Sequence, residues 1–164
     1  MTYLTKENIT FVLAVIGSFG TITGWIYAYI TTRKKLNLRV FAYTFKDEKA
    51  LFYLSFENKS RLPISITDLA LKINETYYSC KHIPQRVTST QHTVGGKIVN
   101  SIDYYNIQFP VELGSLGSTS GYVLFVFPKG VEIPDSKNLM IQVSSNRGKA
   151  IEMKLSLDQI SETL

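Results

Sequence analysis

The sequence predicts an all-β domain that follows one N-terminal transmembrane helix. Residues 10–30, TFVLAVIGSFGTITGWIYAYI, contain no charged side chain. From Leu36 onward, apolar residues recur at every second position, which is the period of a half-buried strand. Turn-forming residues separate these runs, and no soluble amphipathic helix interrupts them. We therefore divide the chain into a tail (1–9), a transmembrane helix (10–30), a basic juxtamembrane collar (31–35), a β-sandwich domain (36–157) and a C-terminal tail (158–164).

The apolar segment has the length of a membrane span. Its 21 residues cover roughly 30 Å as a helix, which matches the hydrocarbon core of a bilayer. A cleaved signal peptide has a shorter apolar core and a small-residue cleavage site, and neither is present. We expect a retained single-pass anchor in the cell membrane.

The positive charge of the chain is concentrated beside this helix. The formal net charge is +5, but residues 36–164 other than Arg39 carry 13 basic and 12 acidic side chains. The excess comes from four residues next to the span: Arg33, Lys34, Lys35 and Arg39. These four basic residues, three from the collar and Arg39 just after it, attract anionic headgroups. The positive-inside rule then predicts that the β-sandwich domain lies in the cytoplasm. A nucleic-acid partner is not expected, because its binding face would need basic residues clustered on the domain.

Aromatic residues precede the collar. Trp25, Tyr27 and Tyr29 occupy the last part of the span, where amphipathic rings settle at the headgroup level. Together with the collar, they are the predicted membrane-interface residues.

Small residues share one face of the predicted helix. At about 100° per residue they fall within roughly 120° of arc. The set is Ala14, Gly17, Gly20, Thr21, Gly24 and Ala28. A stripe of this kind, with G-x-x-x-G at its centre, lets a second helix approach closely. We expect it to contact a second copy of the chain or another membrane protein.

The first half of the domain predicts three strands. Residues 36–45 alternate, residues 46–49 form a charged turn, and residues 50–58 return as a second strand. After the loop 58–63, the run 64–74 changes phase near Thr67 and Asp68. That slip predicts a β-bulge or a crossing between sheets.

The second half is more varied. Residues 77–82 predict a short strand, 85–96 are polar and predict the least ordered region, and periodicity resumes in 97–105 and 106–113. The Gly/Ser-rich segment 114–121 predicts a flexible connector, and 122–128 predict a buried strand. Two final runs flank Asn146-Arg147-Gly148 as a hairpin. About eight antiparallel strands favour an Ig-like β-sandwich, with a small barrel as the alternative.

Catalytic and cofactor motifs are not found in the sequence. The segment Gly117–Gly121 has threonine at the place of a nucleophilic serine, and Gly95-Gly96-Lys97 fits a hairpin turn better than a phosphate loop. Cys80, His82 and His92 lack the paired spacing of zinc ligands, so we expect a packed cysteine and solvated histidines. No catalytic, metal or cofactor-binding residue is predicted. The single cysteine favours a reducing compartment.

The layout of a short N-terminus, one span, a basic collar at 33–35 and a compact domain resembles small prophage-encoded membrane proteins of Gram-positive bacteria. Segments such as FYLSFENKSRLPISITDLALKI and VSSNRGK are similar to Ig-like domains of such proteins. In size and plan the chain is similar to superinfection-exclusion proteins of lactococcal-type phages. That resemblance implies a non-enzymatic protein in the lysogen's membrane that blocks the passage of DNA from related phages.

Two other functional classes stay open from the sequence. In one, the orientation is reversed and the domain is a surface-exposed ligand-binding or cell-wall module. In the other, the domain is an enzyme, which would require His82, His92 and a carboxylate to lie together in a buried site.

Overall fold

The computed structural model describes residues 6–131 and 138–157. The chain consists of two compact units, and the boundary in the sequence falls between Arg33 and Lys34. The first unit contains α1, Lys6–Thr32. The second contains ten strands among the described residues, which we call the β-domain. The strands are β1 Leu36–Lys46, β2 Lys49–Asn58, β3 Ile64–Ile73, β4 Thr76–Ser79, β5 Arg86–Val94, β6 Lys97–Tyr105, β7 Val111–Leu113, β8 Ser118–Val126, β9 Asn138–Ser145 and β10 Ile151–Ser156. The predicted C-terminal tail lies outside the described residues.

The helix α1 is long and apolar enough to cross a membrane, and none of its residues is buried. It extends beyond the predicted span at both ends, by four residues before and two after. Its serine and threonine hydroxyls bond to backbone carbonyls one turn earlier, as in the 2.9 Å bond from Ser18 to Ala14 and the 2.7 Å bond from Thr23 to Phe19. These bonds remove the cost of placing a hydroxyl in an apolar surrounding.

Antiparallel pairing joins the strands into three sheets. The first sheet has the order β1-β2-β8, and the second has the order β10-β9-β3-β4 with β7 beside the start of β3. Strands β5 and β6 form a separate two-stranded sheet, which we call the hairpin. The all-β fold class with one apolar N-terminal helix is therefore confirmed at this level.

The hydrophobic core of the described residues takes side chains from both larger sheets. Phe52 and Phe125 come from the first sheet, and Ile66 and Ile141 come from the second, all fully buried. Phe52 meets Phe125 edge to face at a centroid distance of 5.8 Å. Aromatic pairs in this geometry add to the burial of apolar area, which is the main stabilising contribution of such a core.

Two bulges decide which side chains reach the core. The predicted slip in β3 is confirmed as a register shift between Ile66 and Asp68. A second shift, between Val40 and Ala42, was not predicted. It leaves Phe41 exposed and turns Tyr43 onto the core, whereas simple alternation puts both side chains on the same face. A bulge inserts one residue and thereby reverses the facing of the later residues in the strand.

Two loop predictions were wrong. Residues 86–94, expected to be the least ordered part, form β5 and pair with β6. The Gly/Ser-rich connector ends earlier than predicted, because Ser118–Gly121 already belong to β8 and pair with β2. Gly121 has a packing reason, since a Cβ there would lie 3.1 Å from the Ile107 side chain. The predicted turn at Gly95-Gly96 and the C-terminal hairpin of β9 and β10 are confirmed.

Candidate functional site

The six small residues of the predicted helix-packing face all lie on α1 and are exposed. A Cβ added at Gly17, Gly20 or Gly24 would meet nothing within 4 Å. Contacts inside the described residues therefore give no reason for glycine at these positions. The open face is the one that the G-x-x-x-G spacing requires, and its use as a helix contact stays a prediction.

The polar group at Thr21, on the same face, is already satisfied. Its hydroxyl donates to the Gly17 carbonyl oxygen at 2.9 Å. A partner helix would therefore meet an apolar, shallow surface here without having to supply a hydrogen bond.

The aromatic residues predicted to lie at the membrane interface are at the C-terminal end of α1. Trp25 is 78% exposed, and Tyr27 and Tyr29 are also exposed. The Arg33 guanidinium lies 4.6 Å from the centroid of the Tyr29 ring and donates a 2.8 Å hydrogen bond to its hydroxyl. A cation that lies over an aromatic ring and also bonds its hydroxyl suits the hydrated headgroup region of a bilayer.

Of the other basic residues next to the helix, one is exposed to solvent and two contact groups of the β-domain. Lys35 is exposed, whereas Lys34 donates from Nζ to the Lys149 carbonyl oxygen at 3.0 Å. Partial burial lowers the pKa of Lys34, and the nearby Arg147 charge lowers it further. Arg39 pairs through Nε with a Glu57 carboxylate oxygen at 3.1 Å. Lys34 and Arg39, two of the four basic residues predicted to contact headgroups, therefore also contact groups of the β-domain.

A cluster of possible metal ligands lies where β3 and the segment after β4 meet. The ligand atoms of Asp68, Cys80 and His82 are all within 4.8 Å of one another. His82 Nε2 is 2.8 Å from Asp68 Oδ1, and Cys80 Sγ is 3.7 Å from the same oxygen. The sequence had grouped Cys80 and His82 with His92, but His92 lies on β5, opposite Asn100. Asp68 takes its place in the cluster.

This cluster does not have the geometry of an activated thiol. The carboxylate lies next to both the thiol and the imidazole, whereas a Cys-His nucleophile needs the imidazole next to sulfur. Burial raises the pKa of Cys80 to about 12, and the Asp68 carboxylate also raises it. The thiol is therefore protonated and a weak nucleophile at neutral pH.

The hairpin exposes apolar side chains on both of its faces. Tyr104 and Tyr105 are consecutive on β6, so they point to opposite faces, and they are 37% and 55% exposed. Other exposed apolar residues of the hairpin are Val94, Ile98, Val99 and Ile102. A two-stranded sheet is marginally stable in water, and uncovered apolar area of this kind marks contact surfaces.

Asn106, which follows β6, joins the two ends of the hairpin at its base. It is 3% exposed, and its Nδ2 donates to the carbonyl oxygens of Lys81 at 2.8 Å and Ile83 at 3.2 Å. Its Oδ1 accepts from the Gln85 backbone N–H. Sequence reasoning missed this residue, because a lone asparagine after a strand gives no signal beyond that of a turn.

These features define a class: an antiparallel β-protein with one exposed apolar N-terminal helix, and with an open helix face and a hairpin as its candidate contact surfaces. No known protein-family model matches the chain, and no curated protein matches it significantly in sequence.

Proposed function

We propose that the chain is a membrane-anchored, non-enzymatic interaction protein of the cell membrane. In this proposal α1 crosses the bilayer once, and the β-domain lies in the cytoplasm as an Ig-like β-sandwich. The observation that carries it is the helix itself, which is 27 residues long with no buried residue. A lipid surrounding covers this apolar surface, whereas water would leave it unfavourably hydrated.

The sandwich interpretation is supported by the shared core. Side chains from the order β1-β2-β8 and from the order β10-β9-β3-β4 enter the same cluster. Two antiparallel sheets that bury one common face are the arrangement of Ig-like domains.

The orientation is supported by the positions of the charges. Arg33 and Lys35 are exposed immediately after the helix, while Lys6 and Glu7 offset each other at its start. Basic residues within a few positions of a span are retained on the cytoplasmic side.

The interaction role rests on the two contact surfaces. The glycine face of α1 suits a helix of a membrane-protein partner or of a second copy. The hairpin suits a protein partner at the inner membrane face, because its exposed apolar side chains and free strand edges favour both burial and edge pairing. Anionic headgroups bind the exposed part of the collar in this proposal.

Within this class we propose superinfection exclusion, in which the anchored protein blocks the passage of phage DNA into a prophage-carrying cell. What supports it is the resemblance in layout: an apolar helix long enough to span a membrane, a basic collar and a compact domain. The corresponding mechanism is occlusion. The helix docks beside a membrane channel, and the hairpin contacts that channel or the incoming phage machinery.

The test is expression of the gene alone in a phage-sensitive Gram-positive host, with phage adsorption and DNA passage measured separately. We expect normal adsorption and reduced DNA passage. The double variant Ile98→Ser/Ile102→Ser should restore DNA passage while leaving membrane insertion intact. The matched variant Gln91→Ser/Asn100→Ser changes exposed polar positions of the same hairpin and should still exclude phage. Normal DNA passage at full expression of the wild type would reject the exclusion proposal.

A further inference from the structure

The proposed function leaves the Asp68, Cys80 and His82 cluster without a role. The chain brings these residues together from two elements. Asp68 follows the bulge of β3, while Cys80 and His82 are on the extended segment after β4. Alternate residues of an extended segment point to the same side, so the C-x-H spacing directs both side chains toward Asp68.

The sheets hold this segment in place. The Cys80 N–H donates to the Leu69 carbonyl oxygen in the second sheet at 2.8 Å. The next N–H, of Lys81, donates to the Leu124 carbonyl oxygen in the first sheet at 2.8 Å. The sulfur position is therefore set by backbone pairing to both sheets. A preorganised ligand is what a metal site requires of its scaffold.

The other two ligands are also oriented. Ser79 donates from its hydroxyl to Asp68 Oδ2 at 3.0 Å, which leaves Oδ1 facing the imidazole and the thiol. The His82 ring packs against Phe109 at a centroid distance of 5.5 Å. A hydrogen bond to the second oxygen of a ligating carboxylate is the usual outer support of a metal ligand.

We propose that Asp68, Cys80 and His82 form a three-ligand site for Zn²⁺. Zinc displaces the proton of the Cys80 thiol when it binds. A thiolate, an imidazole and a carboxylate are the three donor types that zinc accepts, at about 2.0 to 2.3 Å. Tetrahedral zinc at those bond lengths separates its ligand atoms by about 3.3 to 3.5 Å. The observed 2.8 Å and 3.7 Å separations reach these values with small side-chain rotations. His82 is exposed enough to rotate and leaves the fourth position to water.

The experiment is a titration of the full chain, in detergent micelles and with any affinity tag removed, with Co²⁺ as a spectroscopic substitute for Zn²⁺. We expect one equivalent to bind with a thiolate-to-cobalt charge-transfer band, and added Zn²⁺ to abolish that band by competition. Cys80→Ser should eliminate the charge-transfer band, and His82→Gln should weaken binding by 100-fold or more. Ser79→Ala should weaken it by about 10-fold.

The matched control is His92→Gln, which removes the other histidine and should bind like the wild type. His82 and His92 are both exposed, so their variants keep the fold, and circular dichroism checks this for Cys80→Ser. Absence of the charge-transfer band in the wild type would overturn the proposal. So would a band that persists in Cys80→Ser, or unchanged affinity in a folded His82→Gln variant. Phage exclusion is measured independently, so either proposal can fail alone.

Discussion

Replacing Asn106 with alanine tests how the two ends of the hairpin are held together at its base. The side chain is buried, and it bonds two carbonyl oxygens and one backbone N–H of the segment that leads into β5. Alanine leaves these groups without their partner, and each buried unsatisfied group costs about 1–3 kcal/mol. The carbonyls of the exposed residues Lys81 and Ile83 can regain water. Only the Gln85 N–H then stays without a partner, so we expect a loss of about 2 kcal/mol.

The assay is urea unfolding of the full chain in detergent micelles, followed by circular dichroism in the β region. A loss of about 2 kcal/mol lowers the midpoint by about 1 M at an m-value of about 2 kcal/mol/M. The matched control is Asn100→Ala on the exposed surface of β6, which should change the free energy of unfolding by less than about 0.5 kcal/mol. Hydrogen exchange should also show faster opening of β5 and β6 in Asn106→Ala. Equal midpoints for the two alanine variants would refute this account of the hairpin base.

Three further predictions concern the core, the charges and the helix. Phe52→Ala should destabilise the β-domain by about 3–5 kcal/mol in the same assay, whereas Phe41→Ala on the outer face should have a small effect. The pKa of Glu57 is lowered, first by a hydrogen bond from an asparagine side chain and then by neighbouring cations. Its carboxylate therefore stabilises the fold at neutral pH and loses that effect as pH falls through the lowered pKa. Glu57→Gln should reduce the loss of unfolding free energy on the acid side of a stability-against-pH profile. An unchanged profile would contradict this. Gly20→Leu/Gly24→Leu should abolish self-association in a membrane two-hybrid assay, and an unchanged signal would exclude a second copy as the helix partner.

The helix experiment has its own control. Ile22→Leu/Ile26→Leu alters the opposite face of α1 at the same depth and should leave association unchanged. If both double variants lose the signal, the effect comes from leucine enrichment and not from the glycine face.

Sequence periodicity predicted the strands wherever one face of the strand is buried. The bulge at Asp68 was detected because apolar residues on either side of it change phase. The bulge at Phe41 was missed because Phe41 and Tyr43 are both aromatic, so the pattern looks continuous across it. Hydropathy alone cannot show which of two aromatic residues is exposed.

Backbone pairing explains most of what the sequence did not reveal. Strand β5 is largely polar and exposed, and it exists because β6 pairs with it. The same limit applies to the metal-ligand cluster. Asp68 and Cys80 are 12 positions apart and come together through the β3–β4 pairing and the backbone hydrogen bond from Cys80 to Leu69. A local motif search finds the C-x-H spacing but not the carboxylate that completes it.

The most direct test of the central proposal is the side of the membrane on which the β-domain lies. A cysteine introduced by Asn100→Cys, on the exposed β6 strand, can be labelled with a membrane-impermeant maleimide. Cys80 gives little background, because burial shields it and raises its pKa to about 12. We expect membrane-bound protein that is labelled only after the cells are permeabilised. Labelling in intact cells, or recovery of the protein in the soluble fraction, would contradict a membrane-anchored cytoplasmic domain.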